Sequence, residues 1–423
     1  MGRVYEACKK MAPLPVRDAL RRPWYNLLMG GVRRGGGYKR GAYEEGVNLI
    51  GLFGSESGTG QGCRLLAGAM EGSGAPFDAV GYQFDGCSKI GESGYEGRMV
   101  PADEARFGVN VAQMLLDGIP PILVKMGRKL WDGRYNIAHI AWELPAVPDR
   151  WRRHAGFFDE IWTTSAFSAG ALQAAVDRPV YVIPYGMTVS ASKKRGRPFF
   201  HLPEKAFLFL FMYDANSLFE RKNPMGAVRA FQAAFGKGAA GVGLVVKIND
   251  HLRLETGLAE LKAAVSGWEN IRIIDEIYGK GEVDDLVSAC DAFVSLHRSE
   301  GYGLSIAEAM LLGKPVVVTG WSGNMEFTNG ENACVVGYEL VKVGKAWYAY
   351  DEWQYWAEPD IQEAALYMRR LYEDKGYCEK VAAAGRRTIE ARQSVERSAR
   401  EMRRRLERIT GRAWGAPMEG EEA

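Results

Sequence analysis

The sequence predicts an α/β chain of two doubly wound domains facing each other across a cleft. Three observations carry that prediction. The 423 residues are about twice the length of a common single domain. From Val47 onward, short apolar runs alternate with amphipathic stretches, the pattern of parallel strands joined by helices. The alternation breaks between Met187 and Pro203, where Ser190, Ser192, Lys193, Lys194, Arg195 and Arg197 cluster around Gly196, and then restarts.

In the first half, Val47–Phe53 reads as a buried strand and Gln61–Met70 as the helix after it. Tyr135–Trp142, Glu160–Thr164 and Val180–Pro184 are further strands, with helices at Asp149–Phe158 and Ala166–Val176. The second half opens on Ala206–Met212, a continuous apolar run suited to a central parallel strand. Asn223 and Pro224 make a cap and first turn for a helix running to Phe235. Gly243–Ile248, Ile271–Ile274, Ala292–Leu296 and Pro315–Thr319 complete the set of strands. The resulting division is a basic extension at 1–43, a first domain at 44–190 and a linker at 191–204. A second domain follows at 205–390, then a basic helix at 391–412 that packs back on the first domain, and an acidic tail at 413–423.

Hydrophobic residues make up 47% and charged residues 25% of the chain, as in ordinary soluble proteins with a large core. Lys plus Arg total 54 against 52 for Asp plus Glu, a balance that suggests no nucleic-acid partner. The N-terminus departs from it, with ten basic residues against Glu6 and Asp18 between Met1 and Arg40. Mixed with Met, Leu, Trp and Tyr, that segment resembles an interfacial helix for an anionic membrane surface, although Pro13, Pro15 and Pro23 interrupt it. The plain alternative is an extension packed on the first domain. The six scattered cysteines form no Cys-x-x-Cys pair and read as reduced thiols in the cytoplasm. No apolar run approaches the ~18 residues of a membrane span, and no signal peptide is evident.

The sharpest local feature is Ser299-Glu300-Gly301-Tyr302-Gly303-Leu304-Ser305-Ile306-Ala307-Glu308, placed after the Ala292–Leu296 strand and opening a helix. Ligands in open α/β sheets bind beyond the carboxyl ends of strands. Gly301 and Gly303 let the backbone approach a ligand, and free amides at a helix start seat phosphate oxygens. Ser305 and Glu308 also fit a capping box, which gives Glu308 a purely structural reading. Glu300 has no such alternative: a carboxylate beside a phosphate seat suits the hydroxyls of a sugar.

Two glutamates in the setting Glu-Gly-Tyr-Gly-Leu-Ser-Ile-Ala-Glu-Ala-Met-Leu-Leu-Gly-Lys-Pro-Val-Val resemble the motif of retaining glycosyltransferases of the GT-B fold, family 4. The resemblance continues through Trp321-Ser322-Gly323-Asn324-Met325-Glu326 and Trp356-Ala357-Glu358-Pro359-Asp360. Upstream it takes in Phe219-Glu220-Arg221-Lys222-Asn223-Pro224 and, more loosely, Trp142-Glu143-Leu144-Pro145. It implies two Rossmann-like domains, with Glu300 on the donor sugar and Glu308 on the nucleotide ribose. The amides of Gly301, Tyr302, Gly303 and Leu304, with Ser305 beside them, would face the sugar and diphosphate. Lys222 would neutralise the leaving diphosphate. Many members of the family carry a Gly-Arg pair after the first strand of the second domain, where this chain has Met212-Tyr213-Asp214. Arg221 and Lys247 are the candidates to compensate.

In the first half, Gly54–Gly62 is an anion-friendly turn between strand and helix, but neither a Walker A loop nor a dinucleotide fingerprint. Gly60 is carried over from the family loop that closes on the diphosphate. Glu143, ending its strand, is placed nearer the cleft than His139, which reads as a core residue. Tyr278 is placed in a base-side loop. Asp284-Asp285 reads as solvated helix surface, and no Asp-x-Asp metal motif is present. The expectation is metal-independent transfer, without a cofactor, of a hexose from a UDP- or GDP-sugar to a glycan or lipid-linked glycan, in the cytoplasm or at the inner membrane face. The competing readings are a non-catalytic sugar-nucleotide binder and another GT-B enzyme, such as an epimerase or a phosphorylase.

Overall fold

In the computed structural model, which describes residues 37–82, 91, 93–192, 194–249, 255–347 and 350–414, the two alternating halves form two six-stranded parallel sheets. The first holds β1 (Glu44–Gly51), β2 (Phe77–Gly81), β3 (Phe107–Gln113), β4 (Tyr135–Ile140), β5 (Glu160–Thr163) and β6 (Val180–Val182), in the order β2-β1-β3-β4-β5-β6. The second holds β7 (Phe207–Asp214), β8 (Val242–Asn249), β9 (Ile271–Ile274), β10 (Ala292–Ser295), β11 (Val316–Thr319) and β12 (Cys334–Val336), in the order β12-β11-β10-β7-β8-β9. Strand order reverses between β1 and β3 in one sheet and between β7 and β10 in the other. Such switch points open the crevice in which doubly wound sheets hold ligands.

The helices that flank these crevices start where their sequences dictate. Ser57 caps α1 (Gly58–Ser73) by accepting from the Gly60 amide, and Gly74 ends it in the left-handed conformation at φ 76°. A second helix, α2 (Ala166–Gln173), is capped by Ser165. A short turn, α3 (Phe219–Lys222), runs into Asn223, whose side chain caps α4 (Pro224–Ala234) by accepting from the Gly226 amide. Pro224 occupies the first helical position, as the sequence predicts. The lower edge of the second crevice is formed by α5 (Lys280–Ala289) and α6 (Leu304–Leu311).

The central strands are buried on both faces. Phe209 and Phe211 of β7 pack with Phe231, Val246, Val294 and Val317 in the second core. In the first sheet, buried Asn48, Asn110 and Asn136 pair in register across β1, β3 and β4. Asn48 Nδ2 donates to Asn110 Oδ1 at 2.8 Å, and Asn110 Nδ2 donates to Asn136 Oδ1 at 2.7 Å. These satisfied amides put polar residues inside the sheet, and β3, which carries Asn110, is the strand of the three that an apolar-run reading passes over.

Two elements depart from the double winding. Beyond β12 the chain forms an antiparallel hairpin of β13 (Tyr338–Lys342) and β14 (Tyr355–Pro359). After the second sheet, α7 (Val395–Thr410) returns to the first domain on a stripe of buried Ala399, Met402, Leu406 and Ile409. It is fixed there by Arg403 Nε donating to Ser73 O at 2.7 Å, by Ser398 Oγ donating to Pro184 O at 2.6 Å and by an ion pair of Arg405 with buried Glu160. Among the described residues no helix is long and apolar enough to cross a membrane. The basic segment at 1–36 and the acidic residues 415–423 lie outside the described residues.

Candidate functional site

The loop after β10 brings Ser299, Glu300 and Gly301 to the switch point beside the end of β7. Gly303 caps α6 at φ 94°, a conformation open to glycine at little cost. Among the described residues, the amides of Gly301, Tyr302 and Gly303 donate to no protein acceptor, so three donors stand free at the helix start. The helix begins at Leu304, one residue before the predicted cap. The Ser305–Glu308 capping box is therefore absent: Ser305 lies within the first turn, and no side chain caps the helix.

Glu300 is buried and gripped by two cations. Lys222 pairs with its Oε1, and Arg221 Nη1 lies 3.3 Å from Oε2. Adjacent on α3, the two cations converge because each carboxylate oxygen gives one of them its own partner. Arg221 also donates to Ser299 O at 2.8 Å and approaches Glu143 Oε1 at 3.8 Å. Burial would raise the Glu300 carboxyl, but Lys222 and Arg221 overcome it and hold the group down at about 2. Glu143 shifts the other way, raised by burial with only partial relief from Arg221. Its Oε2 is buried and makes no hydrogen bond among the described residues. Behind the loop, Ser322 holds φ 78° and its Oγ accepts from the Glu300 amide at 2.8 Å. A strained residue beside a charged cluster is a common mark of a functional site.

The two domains meet at this loop. Gly301 O accepts from Ser165 Oγ at 2.8 Å, and Ser299 donates to Glu143 O. A Cβ on Gly301 would lie 3.0 Å from Ala141 C and 3.1 Å from Trp142 N, so a larger residue would push the two backbones apart by a few tenths of an ångström. The side chain of Tyr302 turns into the core, with its ring 5.2 Å from those of Tyr185 and Phe327 and its hydroxyl donating to Gln393 Oε1 at 3.1 Å. Of Tyr302 only the backbone amide is left for a ligand.

Glu308 belongs to a second cluster. Its Oε1 lies 2.9 Å from Lys280 Nζ, which also pairs with Asp284 one helical turn along α5. Burial pulls Lys280 down, but Glu308 and Asp284 more than offset it and the amine stays above its usual range. Burial raises Glu308. Asp284 and Asp285 are not solvated surface. Both are buried, because the linker folds over them: Asp284 Oδ2 accepts from the Ser190 amide at 2.7 Å, and Asp285 Oδ2 accepts from Ser192 Oγ at 2.6 Å. Lys280 was missed in the sequence, where only its i,i+4 spacing to Asp284 hints at pairing.

The remaining predicted residues lie around these clusters. Lys247, at the end of β8, is buried, donates to Ile248 O at 3.0 Å and sits 5.0 Å from the Tyr278 ring centroid. Burial lowers it to about 8. Gly60 lies in the first turn of α1, where a Cβ would collide with the Ser55 carbonyl. His139 is fully buried within β4, stacked 5.4 Å from Tyr185 and pushed down to about 4 by burial. It is a neutral core histidine.

Residues 246–343, which include both glutamates and Lys280, match the family model described as glycosyl transferases group 1. No curated protein gives a match to the sequence. Among solved structures the chain is similar to HepE of Anabaena in complex with UDP and glucose, at 14% identity over 86% of this chain and 100% of that one, with a TM-score of 0.65. It is similar to sucrose-phosphate synthase of Thermosynechococcus elongatus, at 14% identity over 87% and 100% of the two chains, with a TM-score of 0.63. A glycosyltransferase from Rickettsia africae gives 13% identity over 87% and 99%, with a TM-score of 0.63. At such identities the likeness shows the fold, two Rossmann-like domains in the GT-B arrangement. Together with the family match it supports a glycosyltransferase.

Proposed function

We propose that this chain moves a hexose from a nucleoside-diphosphate sugar to a hydroxyl of a glycan or lipid-linked glycan, with retention at the anomeric carbon and without a metal ion. The observation that carries this reading is Glu300, ionised and clasped by Lys222 and Arg221 beside three free amides at a switch point. An ionised carboxylate accepts from sugar hydroxyls, the amides and Lys222 receive the diphosphate, and Glu308 accepts from the ribose. The bond from the anomeric carbon to the diphosphate oxygen breaks as the acceptor oxygen approaches on the same face, and the departing oxygen takes the acceptor's proton. Such a reaction needs positioning and stabilisation of growing negative charge. Lys222 supplies the stabilising positive charge. Arg221, committed to Glu300, Ser299 O and Glu143, keeps Glu300 ionised while Lys222 turns to the phosphate.

UDP-hexoses are the first donors to test, since the similar HepE structure holds UDP and glucose. Release of nucleoside diphosphate from a panel of UDP- and GDP-sugars is expected for the native chain and is expected to fall by at least about 100-fold in Glu300→Ala. Equal rates in the two proteins would leave a non-catalytic binder.

A further inference from the structure

We propose that His297, protonated at Nε2 and bare at Nδ1, is a positioning residue that fixes the Trp321–Asn324 turn and, through it, the peptide of Glu300.

Glu300 is aimed by its backbone contacts as well as by its two cations. Its amide donates to Ser322 Oγ at 2.8 Å, and its carbonyl accepts from the Gly323 amide at 2.8 Å. The turn that supplies both groups lies against the loop so closely that a Cβ on Gly323 would stand 2.2 Å from Gly301 O. The Glu300 peptide is thus clamped on both sides. Ser322 sits at φ 78° in that clamp, and such a backbone persists only where its surroundings hold it.

His297 supplies that hold. It stands two residues beyond β10, is fully buried, and its carbonyl accepts from Thr319 Oγ1 at 2.6 Å. Its Nε2 lies 3.1 Å from Asn324 Oδ1 and 3.3 Å from Trp321 O, one at each end of the turn. Neither oxygen has a hydrogen to give. The Asn324 amide is oriented by its nitrogen, which donates to Thr319 O at 3.0 Å, and Trp321 O already accepts from Ser322 Oγ at 2.5 Å. On the other side of the ring, Nδ1 lies 3.0 Å from Ser295 Oγ, which can donate, and 3.1 Å from Ser295 O. A proton on Nε2 serves the turn and lets Ser295 Oγ donate to Nδ1. A proton on Nδ1 alone would leave the Nε2 lone pair against two oxygens in the core, which costs the full desolvation of those groups. Burial lowers the ring's pKa against the opposing pull of Glu300, so the ring carries one proton at neutral pH. The effect of His297 on turnover rests on the proposed glycosyl transfer; the tautomer and the clamp do not.

Measurements on the full chain test the proposal. Nitrogen NMR with isotope-labelled histidine, the His297 signals being assigned by their loss in His297→Gln, is expected to show a protonated Nε2 and a bare Nδ1 at pH 7. A proton on Nδ1, alone or beside one on Nε2, would overturn the assignment. In His297→Leu, which removes the donor, hydrogen exchange at the Glu300 and Gly323 amides is expected to speed up at least about tenfold, with β8 unchanged. Unchanged exchange at both amides would overturn the clamp. In donor turnover, His297→Leu is expected to lower kcat by about 10- to 100-fold. His297→Gln, whose side-chain nitrogen can take the place of Nε2, is expected to recover most of that loss. Equal losses in the two variants are what a merely space-filling ring gives, and they would overturn the positioning role. Should His297→Leu not fold, the tautomer in the native chain still decides the assignment. If the native chain turns over no donor, the proposed function fails, while NMR and exchange still decide the role of His297.

Discussion

Replacing Glu300 by Gln keeps the shape of the side chain and removes its charge, so Lys222 and Arg221 are left buried without a counter-charge. The cost follows from the carboxyl's displaced titration. It sits at about 2 in the folded chain against 4.5 for the free group. At about 1.36 kcal/mol per pH unit, ionised Glu300 stabilises the fold by about 3 kcal/mol at pH 7. The folded value is depressed, so this stability is fully present above pH 4.5 and is lost as pH falls toward 2. Glu300→Gln should therefore be about 3 kcal/mol less stable than the native chain at pH 7. The gap should narrow by about 1 kcal/mol at pH 4, where the unfolded native chain already takes up protons. Urea unfolding of both proteins at the two pH values measures this. A gap that stays constant or widens toward pH 4 would refute the account of Glu300 as a carboxylate held ionised by two cations.

Three further substitutions follow from the clusters around it. Lys222→Met should reduce nucleoside diphosphate release by about 100- to 1,000-fold, read in the same donor assay, because it removes the cation assigned to the leaving group. Lys280→Met leaves buried Glu308 and Asp284 without their shared partner and should cost about 3–5 kcal/mol at pH 7. That loss should shrink on acidification as the Glu308 carboxyl, raised by burial, becomes neutral, which melting curves at pH 5 and 7 will show. Lys247→Met should act in the opposite sense. A lysine lowered to about 8 from 10.5 destabilises the fold below pH 8, and the penalty is relieved between pH 8 and 10.5. The variant should gain about 3 kcal/mol at pH 7 and lose affinity for a nucleoside diphosphate, measured by thermal shift with and without UDP.

The second sheet was more legible in the sequence than the first, for a physical reason. Strands β7, β8, β10 and β11 are apolar runs whose polar residues, such as Lys247, Asp214 and Ser295, fall toward their carboxyl ends, as the interior of a parallel sheet requires. β2 carries Asp78, and β3 carries Asn110 and Gln113. Asp78 is met by Arg106 from the turn before β3, Asn110 by Asn48 and Asn136 on the flanking strands and the Gln113 amide nitrogen by Tyr185, and such pairing is invisible to periodicity. The hairpin escaped notice because its strands pair only with each other and β13 is largely exposed, which leaves no apolar run.

At the site, Glu300 and Lys222 could be named from local spacing and family resemblance. That Glu143 lies near Arg221 depends on the contact between the two sheets, which no local window contains. Glu308 also admits a structural reading as a helix cap, because Ser305 stands three residues before it. The helix instead starts at Leu304 behind Gly303, whose left-handed backbone needs no side-chain cap. Asp284 and Asp285 looked solvated because their cover is the linker, and its folded course was not readable from composition.

The return of α7 to the first domain has a consequence for the order of events during synthesis. The face of α1 that carries Ser73, and the Glu160 carboxylate, are closed by residues more than two hundred positions further along the chain. At about 5–20 residues per second, a ribosome needs on the order of 10–70 s to make the intervening chain. Throughout that interval the nascent first domain presents an apolar helix flank and an unneutralised buried acid. Its final closure waits on the second domain, so the two halves mature together, although the first is translated long before.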